Sequence, residues 1–324
     1  SNANHSLIEK ARVLLPDQVV CITAIKGRKD LLIAEEIALP DVPLKKPRKA
    51  SVPVYAALIS DLHVGSVTFM EKSFRNFLLW LNGKIGDKHL RRVASHVKYL
   101  VIAGDIVDGI GVYPGQIKEL SIRDVYQQYE AAAKLIEQIP EYIEVIIIPG
   151  NHDAVRKALP QPSIPKDYAE PLYEARRLHS LGNPCTISLH GLELLLYHGR
   201  SLDDIVSSVP NVSFNNPEKA MRLLLQGRHL APIYGKKTPI SPEKRDFMVI
   251  ERIPDIFHAG HIHVMKYDIY RGALLLNSGT WQEQTKYQRK MGLTPTPAIA
   301  PIVNLQTLKV TAIDFRVREM LAPS

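Results

Sequence analysis

The sequence contains little cysteine, and its two thiols, Cys21 and Cys185, lie far apart along the chain. Two cysteines exclude a framework of several disulfides and a structural zinc site built from four thiolates. Cys21 stands within V-V-C-I-T, an apolar run that predicts a buried thiol. This cysteine usage is typical of a reducing compartment, so we expect a cytoplasmic protein.

Long hydrophobic runs are also missing from the chain. No apolar stretch approaches the roughly 20 residues that span a bilayer, and no signal-peptide pattern is visible. We therefore expect no membrane partner. The opening S-N-A, residues 1–3, is typical of a cloning remnant and does not enter the reasoning about the fold.

Acidic residues are in the minority, with 33 Asp and Glu against 41 Lys and Arg, which gives a net charge of +8. A basic excess favours polyanionic partners, and nucleic acid first among them. Taken alone, the excess fits a surface of solvated lysines equally well. The same alternatives apply to one basic cluster near the C-terminus, which could follow a nucleic-acid backbone, contact a partner subunit or be solvated: Lys286, Arg289 and Lys290.

Residues 4–43 differ from the rest of the chain. Two apolar runs, D-Q-V-V-C-I-T-A-I and D-L-L-I-A-E-E-I-A-L, predict strands joined by a turn at K-G-R-K. Two strands cannot enclose a core, so this segment should pack on the main domain or belong to a truncated one. Residues 44–52, rich in proline and basic side chains, predict an extended linker, and residues 53–324 the main domain.

From residue 53 onward, strand-like apolar runs alternate with amphipathic helical patterns. The runs at 53–60, 98–103, 142–148 and 192–197 are largely apolar, which is typical of buried strands. Residues 74–81 and 123–139 carry apolar residues at helical spacing. The alternation predicts an α/β domain with helices covering both sheet faces.

Polar side chains follow each of these strand-like runs and a fifth apolar segment, I-F-H-A-G. They stand in five short motifs: D-L-H (61–63), G-D-I-V-D (104–108), G-N-H-D (150–153), H-G (198–199) and G-H-I-H (260–263). Ligands of open α/β sheets bind beyond the carboxyl ends of the strands, so the five motifs should meet in one crevice. Oxygen and imidazole donors without thiolate suit Mn²⁺, Fe²⁺ or Zn²⁺, and their number predicts two ions that share a carboxylate.

Each motif alone has an ordinary explanation. Asp-Leu-His is often a turn followed by a surface histidine, His-Ile-His is often a polar strand face, and Asn151 could be a loop residue in a left-handed conformation. The joint signal is stronger, because all five motifs stand at the ends of apolar runs.

In this order, the motifs resemble the calcineurin-like metallophosphoesterases, over about residues 53–280. The resemblance implies two mixed β-sheets sandwiched between helices. It implies that a first ion binds Asp61, His63, Asp105 and His263. It implies that a second ion binds Asp105, Asn151, His198 and His261. His152 is implied to be catalytic, facing the phosphate and acting on the leaving group, with its ring oriented by Asp108.

Further segments resemble the small-subunit family of archaeal DNA polymerase D, which carries a 3′→5′ exonuclease. They include G-I-G-V-Y-P-G-Q (109–116), H-G-R-S-L-D-D (198–204) and S-G-T-W-Q-E-Q-T-K-Y-Q (278–288). Gly109 replaces the phosphate-binding arginine typical of the related protein phosphatases. The resemblance implies a proofreading subunit that binds a single-stranded or mismatched 3′ end of DNA and a large catalytic subunit. Residues 4–43 would be the C-terminal part of a truncated OB-fold.

Several alternatives stay open at this stage. The chain could be another phosphoesterase, such as a phosphatase or nucleotidase, or a non-catalytic polymerase subunit. Mn²⁺ is the first choice of metal, with Fe²⁺, Zn²⁺, Ni²⁺ and Mg²⁺ as alternatives. Tyr113 could stack on a terminal base or merely pack in its turn. Arg200 could reach a phosphate or pair with Asp203 or Asp204.

Overall fold

A computed structural model describes residues 5–317 of the chain. The predicted cloning remnant at residues 1–3 and the last residues of the predicted main domain lie outside this range. No helix within it is long and apolar enough to cross a membrane.

The described residues form strands and helices in similar proportion. In chain order the strands are β1 (Cys21–Lys26), β2 (Leu32–Ala38), β3 (Tyr55–Ile59), β4 (Val97–Ala103), β5 (Glu144–Ile148), β6 (His179–Ser180), β7 (Cys185–Leu189), β8 (Leu192–Tyr197), β9 (Ile256–Ala259), β10 (Lys266–Tyr270), β11 (Ala273–Asn277), β12 (Ile299–Asn304) and β13 (Val310–Asp314). The helices are α1 (His5–Arg12), α2 (Glu71–Leu81), α3 (Lys88–Ser95), α4 (Val125–Ile136), α5 (Lys166–Ala175), α6 (Leu202–Ser208), α7 (Pro217–Gly227) and α8 (Lys286–Lys290).

Eleven of these strands form two mixed sheets. The six-stranded sheet has the order β13-β12-β3-β4-β5-β6, in which β3 to β6 are parallel and β12 is antiparallel to both of its neighbours, β3 and β13. The five-stranded sheet has the order β10-β11-β9-β8-β7, with β11, β9 and β8 parallel in its centre. The prediction of two mixed sheets flanked by helices is therefore confirmed.

The alternation of side chains along β3 explains why this strand is continuously apolar. Ala56 and Leu58 belong to the core between the two sheets. Ala57 and Ile59 point the other way, into the core that the six-stranded sheet forms with α2 and α4. A third core, between α7 and the five-stranded sheet, contains Leu224 and Phe257. Because both faces of each central strand are buried, most positions on them favour apolar residues.

The N-terminal hairpin β1-β2 lies largely outside these cores. All six residues of β1 are exposed, and Cys21 is exposed with them, so the prediction of a buried thiol is wrong. The flanking chain does pack on the main domain, since Leu15 and Val42 are buried in the core of the five-stranded sheet. Whether the hairpin is the remainder of an OB-fold stays a prediction.

The predicted linker is extended but is also fixed to the main domain. The fully buried carboxylate of Asp255 accepts hydrogen bonds from Lys45 Nζ at 2.9 Å and Arg48 Nε at 2.8 Å. It also accepts the main-chain N–H groups of Arg48 and Glu193. A buried carboxylate is stable in such a place only when charged and hydrogen-bonding partners surround it. The linker therefore has a fixed position beside the start of β9.

Candidate metal centre

The five sequence motifs meet where β3, β4 and β5 of one sheet and β8 and β9 of the other end. The first two loops run side by side, because Asp61 N donates to Gly104 O at 2.9 Å and His63 N donates to Asp105 O at 3.1 Å. From the fourth and fifth loops, Gly260 N donates to His198 O at 2.9 Å. The edge of the sheets thus forms one crevice lined by the predicted side chains.

Five of the seven predicted metal ligands have left-handed backbone, which residues with a Cβ rarely adopt. Their φ values are 53° at Asp61, 52° at His63, 52° at Asp105, 69° at His261 and 63° at His263. Such strain persists only where the surrounding structure enforces it, and it is commonest at functional sites. The backbone turns sharply at each strand end and directs these side chains into the crevice.

Two glycines allow the loops to approach closely enough. A Cβ on Gly150 would lie 2.1 Å from Asp105 Oδ1, and a Cβ on Gly104 would lie 2.5 Å from His198 Nδ1. Both distances are shorter than any real contact. No side chain fits at either position while the adjacent predicted ligands keep their places.

Asp153, the last residue of G-N-H-D, fastens the third loop to the second. Its buried carboxylate accepts N–H groups from Gly150 at 2.8 Å, Ile106 at 3.3 Å and Val107 at 3.3 Å. Burial is the largest cause that raises the pKa of Asp153, to about 6. Asp153 therefore holds the two loops together and does not face the crevice as a ligand.

The first group of donors consists of Asp61, His63 and His263. Their potential ligand atoms lie within 4.8 Å of one another. His63 Nε2 is 3.1 Å from His263 Nε2, and the latter is 3.3 Å from Asp61 Oδ1. All three side chains are buried.

The second group consists of Asp105, His198 and His261, again within 4.8 Å of one another. His198 Nε2 lies 3.3 Å from Asp105 Oδ2 and 3.1 Å from Asn151 Oδ1. Asp105 Oδ2 is also 3.8 Å from His63 Nε2 in the first group. This carboxylate stands between the two groups, where a shared ligand is expected.

The donor atoms fit divalent cations. Asp61 Oδ1 is buried and has no hydrogen-bond partner. Burying such an oxygen costs free energy unless a cation binds to it. His63 Nδ1 donates to Asp108 Oδ1 at 2.9 Å, and His198 Nδ1 donates to Ala103 O at 2.9 Å. Both rings therefore present Nε2 to the crevice, in the tautomer that a metal requires.

Close pairs of carboxylates and imidazoles shift the pKa values of the side chains in the site. Burial acts to lower the pKa of His63, but the Asp108 hydrogen bond and nearby carboxylates raise it to about 9. Burial opposes the charged form of His198 too, yet Asp105 raises its pKa to about 9. Burial favours protonation of Asp105, but His198 and the other imidazoles hold its pKa well below the usual range. A cation at Nε2 would replace these protons.

His152 lies at the mouth of the crevice. Its Nδ1–H donates to the main-chain oxygen of Asp108 at 2.7 Å, while the Asp108 carboxylate is 3.7 Å away. Asp108 thus orients His152 through its main chain, and its carboxylate serves His63 and Gln116. Burial lowers the pKa of His152 to about 4. The neutral ring presents Nε2 as an acceptor.

The two predicted substrate contacts have partners within the protein. Tyr113 is 40% exposed, donates from its hydroxyl to Glu119 at 2.9 Å, and packs edge-on to His152 with ring centroids 6.3 Å apart. Arg200 pairs with Asp203 at 2.5 Å and lies 3.3 Å from His261 Nε2. Both side chains border the crevice.

Two further side chains border the site, and one of them, Lys157, stands in none of the quoted motifs. Lys157 donates from Nζ to the main-chain oxygen of Asn151, and burial lowers its pKa. Asp203 holds Arg200 and lies 3.3 Å from His261 Nε2. A lysine four residues after G-N-H-D was the available signal for the first of these, but lysines are common in surface loops.

A buried chain of hydrogen bonds supports Asp61 from behind. His258 Nε2 lies 3.0 Å from Ser278 Oγ, which lies 2.7 Å from Ser60 Oγ. Ser60 Oγ donates to Asp61 Oδ2, and His261 N donates to the same oxygen at 2.9 Å. These bonds occupy Oδ2 and leave Oδ1 for the crevice.

Comparisons with known proteins agree with the motifs. The family described as the B subunit of DNA polymerases alpha and epsilon has a sequence model that matches residues 56–267. The DNA polymerase II small subunit of Pyrococcus furiosus is 47% identical over 305 residues, which are 93% of this chain and 50% of that protein. The DNA polymerase II small subunit of Methanothermobacter thermautotrophicus is 46% identical over 309 residues, which are 95% of this chain and 64% of that protein.

This chain therefore spans about half the length of the Pyrococcus relative. A solved structure described as a novel archaeal phosphodiesterase aligns with 80% of this chain and 99% of its own, at 13% identity and a TM-score of 0.39, which adds no functional argument. The resemblance to archaeal polymerase small subunits predicted from the sequence is confirmed. Since the family model matches more than half of its residues, the chain belongs to the family of B subunits of DNA polymerases alpha and epsilon.

Proposed function

We propose that this chain is a metal-dependent phosphodiesterase that removes nucleotides from the 3′ end of DNA. It would act as the proofreading small subunit of an archaeal replicative polymerase and would bind a large catalytic subunit. The observation that carries the proposal is the pair of donor groups with Asp105 between them and with the buried, unpartnered Asp61 Oδ1 facing the crevice. The similarity to relatives named as polymerase small subunits supports DNA as the substrate.

The seven predicted ligands would hold two divalent cations, and Mn²⁺ is the first choice of metal. When bound, such ions supply a hydroxide nucleophile at neutral pH and neutralise charge on the phosphate. The first ion's place is lined by Asp61, His63 and His263, and the second's by Asn151, His198 and His261, with Asp105 common to both. Asp108 and Ala103 fix the tautomers of His63 and His198 for this purpose.

The remaining residues would act on the phosphodiester itself. Cleavage of the bond between phosphorus and the 3′-oxygen of the preceding nucleotide releases a nucleoside 5′-monophosphate. His152 Nε2 would give a proton to that departing oxygen, which requires the imidazolium form. The negative phosphate raises the pKa of a nearby imidazole, so substrate binding itself would favour that form. Lys157 and Arg200 would place positive charge beside the phosphate.

The test is degradation of a primer with a mismatched 3′ end, with Mn²⁺ and with a chelator. A 5′-labelled primer should shorten one nucleotide at a time, and a 3′-labelled primer should release mononucleotide first. Faster hydrolysis of a phosphomonoester than of the primer would favour a phosphatase or nucleotidase. Absence of metal-dependent turnover on both substrates would favour the non-catalytic polymerase subunit and contradict the proposal.

A further inference from the structure

Helix α8 lies directly against the candidate metal centre. The side-chain amide nitrogen of Gln288 is 2.9 Å from His263 Nδ1. The helix begins at a capping box, in which Thr285 Oγ1 accepts from Gln288 N at 3.2 Å and Gln288 Oε1 accepts from Thr285 N at 3.0 Å. The same glutamine therefore fixes the start of α8 and contacts a predicted metal ligand.

The other four side chains of α8 are exposed, and three of them are cationic. Within residues 5–317, no carboxylate forms an ion pair with Lys286, Arg289 or Lys290, whereas many other surface cations of the chain are paired. Tyr287 is 64% exposed. The helix thus presents unpaired positive charge and one aromatic ring next to the crevice.

Helical geometry separates the anchoring side chain from the displayed ones. Successive residues are about 100° apart, so Tyr287 and Arg289 flank Gln288 on either side. Lys286 and Lys290 are four residues apart and share the face turned away from it. One side of α8 therefore holds the helix on His263, and the remaining surface is free to bind a ligand.

We propose that α8 binds the backbone of a single-stranded nucleic acid close to the metal centre, as part of the path by which the strand enters it. The inference rests on the proposed function and adds the place where the strand lies. Unpaired cations with an interleaved aromatic ring suit a phosphate backbone and a stacked base. A protein partner fits less well, because the cores of protein interfaces are depleted in lysine.

The test compares two triple variants of the full chain. K286Q/R289Q/K290Q removes the charge of α8 and keeps residues that favour a helix. K88Q/R91Q/R92Q removes three exposed cations from α3, which also form no ion pair within the described residues. Helix α3 ends just before β4 begins, at the amino edge of the sheet and away from the crevice. Circular dichroism verifies that both variants are folded.

Binding of a fluorescent oligothymidylate is measured by anisotropy without divalent metal, so that cleavage does not interfere. The α8 variant should bind at least about tenfold more weakly, and the slope of log affinity against log salt should fall by about 2, as three lost phosphate contacts predict for a single strand. The α3 variant should match the wild type. Equal losses in both variants, or none in the α8 variant, would overturn the inference.

Two additional measurements separate this inference from the proposed function. Mn²⁺-dependent hydrolysis of bis(4-nitrophenyl) phosphate by the wild type tests the catalytic site without a strand. If the wild type does not hydrolyse this ester while the α8 variant loses strand affinity, the inference about α8 is supported and the proposed exonuclease activity is contradicted. If the α8 variant keeps its strand affinity and instead loses association with a large polymerase subunit, α8 is a protein contact and the inference is wrong.

Discussion

His152 leaves its Nε2 free, as His63 and His198 do, but it lies at the mouth of the crevice. Its Nδ1–H is committed to the main-chain oxygen of Asp108, so Nε2 is available to a substrate. Its side chain is 16% exposed, more than those of the predicted ligands His261 (12%), His263 (9%), His63 (2%) and His198 (1%). These features suit a group that meets substrate, whereas the deeply buried rings suit ligands.

His152→Ala should therefore keep the metal and lose turnover. We expect a fall of roughly 10²–10⁴ in single-turnover rate, the usual size of one acid–base contribution. Metal content measured on the same preparations should equal that of the wild type. His89→Ala, an exposed histidine on α3, is the matched control. An unchanged rate would contradict the role of His152 as proton donor. A lower rate accompanied by a lower metal content would contradict it as well.

Ser60 contacts the candidate metal centre through Asp61. It ends the buried chain from His258 and Ser278, and it donates to Asp61 Oδ2. Removing the hydroxyl leaves the His261 N–H on Oδ2 but takes away one of the two bonds that orient the carboxylate toward the crevice.

We expect Ser60→Ala to weaken binding of the first ion by about 10–100-fold, the usual effect of losing a partner behind a ligand. Titration calorimetry with Mn²⁺ measures this directly, without reference to activity. Ser188→Ala, at an exposed position of β7, should bind as the wild type does. Wild-type affinity in Ser60→Ala would show that Asp61 does not depend on this bond.

Among the elements, the central strands and the strands of the hairpin were predictable, but the exposure of the hairpin was not. Largely apolar runs predicted β3, β4, β5 and β8, because burial on both faces favours apolar residues at most positions. The run around Cys21 looks similar in sequence but forms β1, all six residues of which are exposed. A short apolar run does not reveal whether a second layer of structure covers it.

Fixation of the linker was not predictable either, because it depends on a carboxylate 207 residues away from Arg48. Burial acts to raise the pKa of Asp255, but Lys45 and the adjacent N–H groups hold it below its ordinary value. A depressed pKa means that the charged form stabilises the fold. This stabilisation is present above the unfolded pKa, near 3.9, and is lost as pH falls through the folded value.

Asp255→Asn should lower the free energy of unfolding at pH 7 by about 2 kcal/mol, since hydrogen bonds to a charged group are lost. Urea unfolding at pH 7 and at pH 3 measures the effect, and the difference from wild type should shrink at the lower pH. Asp30→Asn, in the exposed hairpin turn, provides the control. A difference that is constant with pH would mean that the charge of Asp255 is unimportant.

For the whole molecule, the order of motifs predicted which strand ends meet, but not how their backbones turn. The left-handed φ of Asp61, His63 and Asp105 cannot be predicted from composition or from the spacing of apolar residues. Lys157 and Gln288 were missed for a related reason, since each approaches the site from a loop or short helix whose position depends on the complete fold.

The central claim is that separate loops hold two cations through a shared Asp105. His63 and His198, with pKa values of about 9, are protonated below that pH in the metal-free protein. Metal requires the neutral rings, so affinity should rise with pH up to about 9 and binding should release protons.

The most direct measurement is therefore Mn²⁺ stoichiometry by calorimetry at pH 8, for the wild type and Asp105→Asn. The account predicts about two ions per wild-type chain, with proton release, in keeping with a two-metal site. In Asp105→Asn both ions should bind far more weakly, because the carboxylate common to the two places is gone. A single ion in the wild type, or unchanged stoichiometry and affinity in Asp105→Asn, would contradict it.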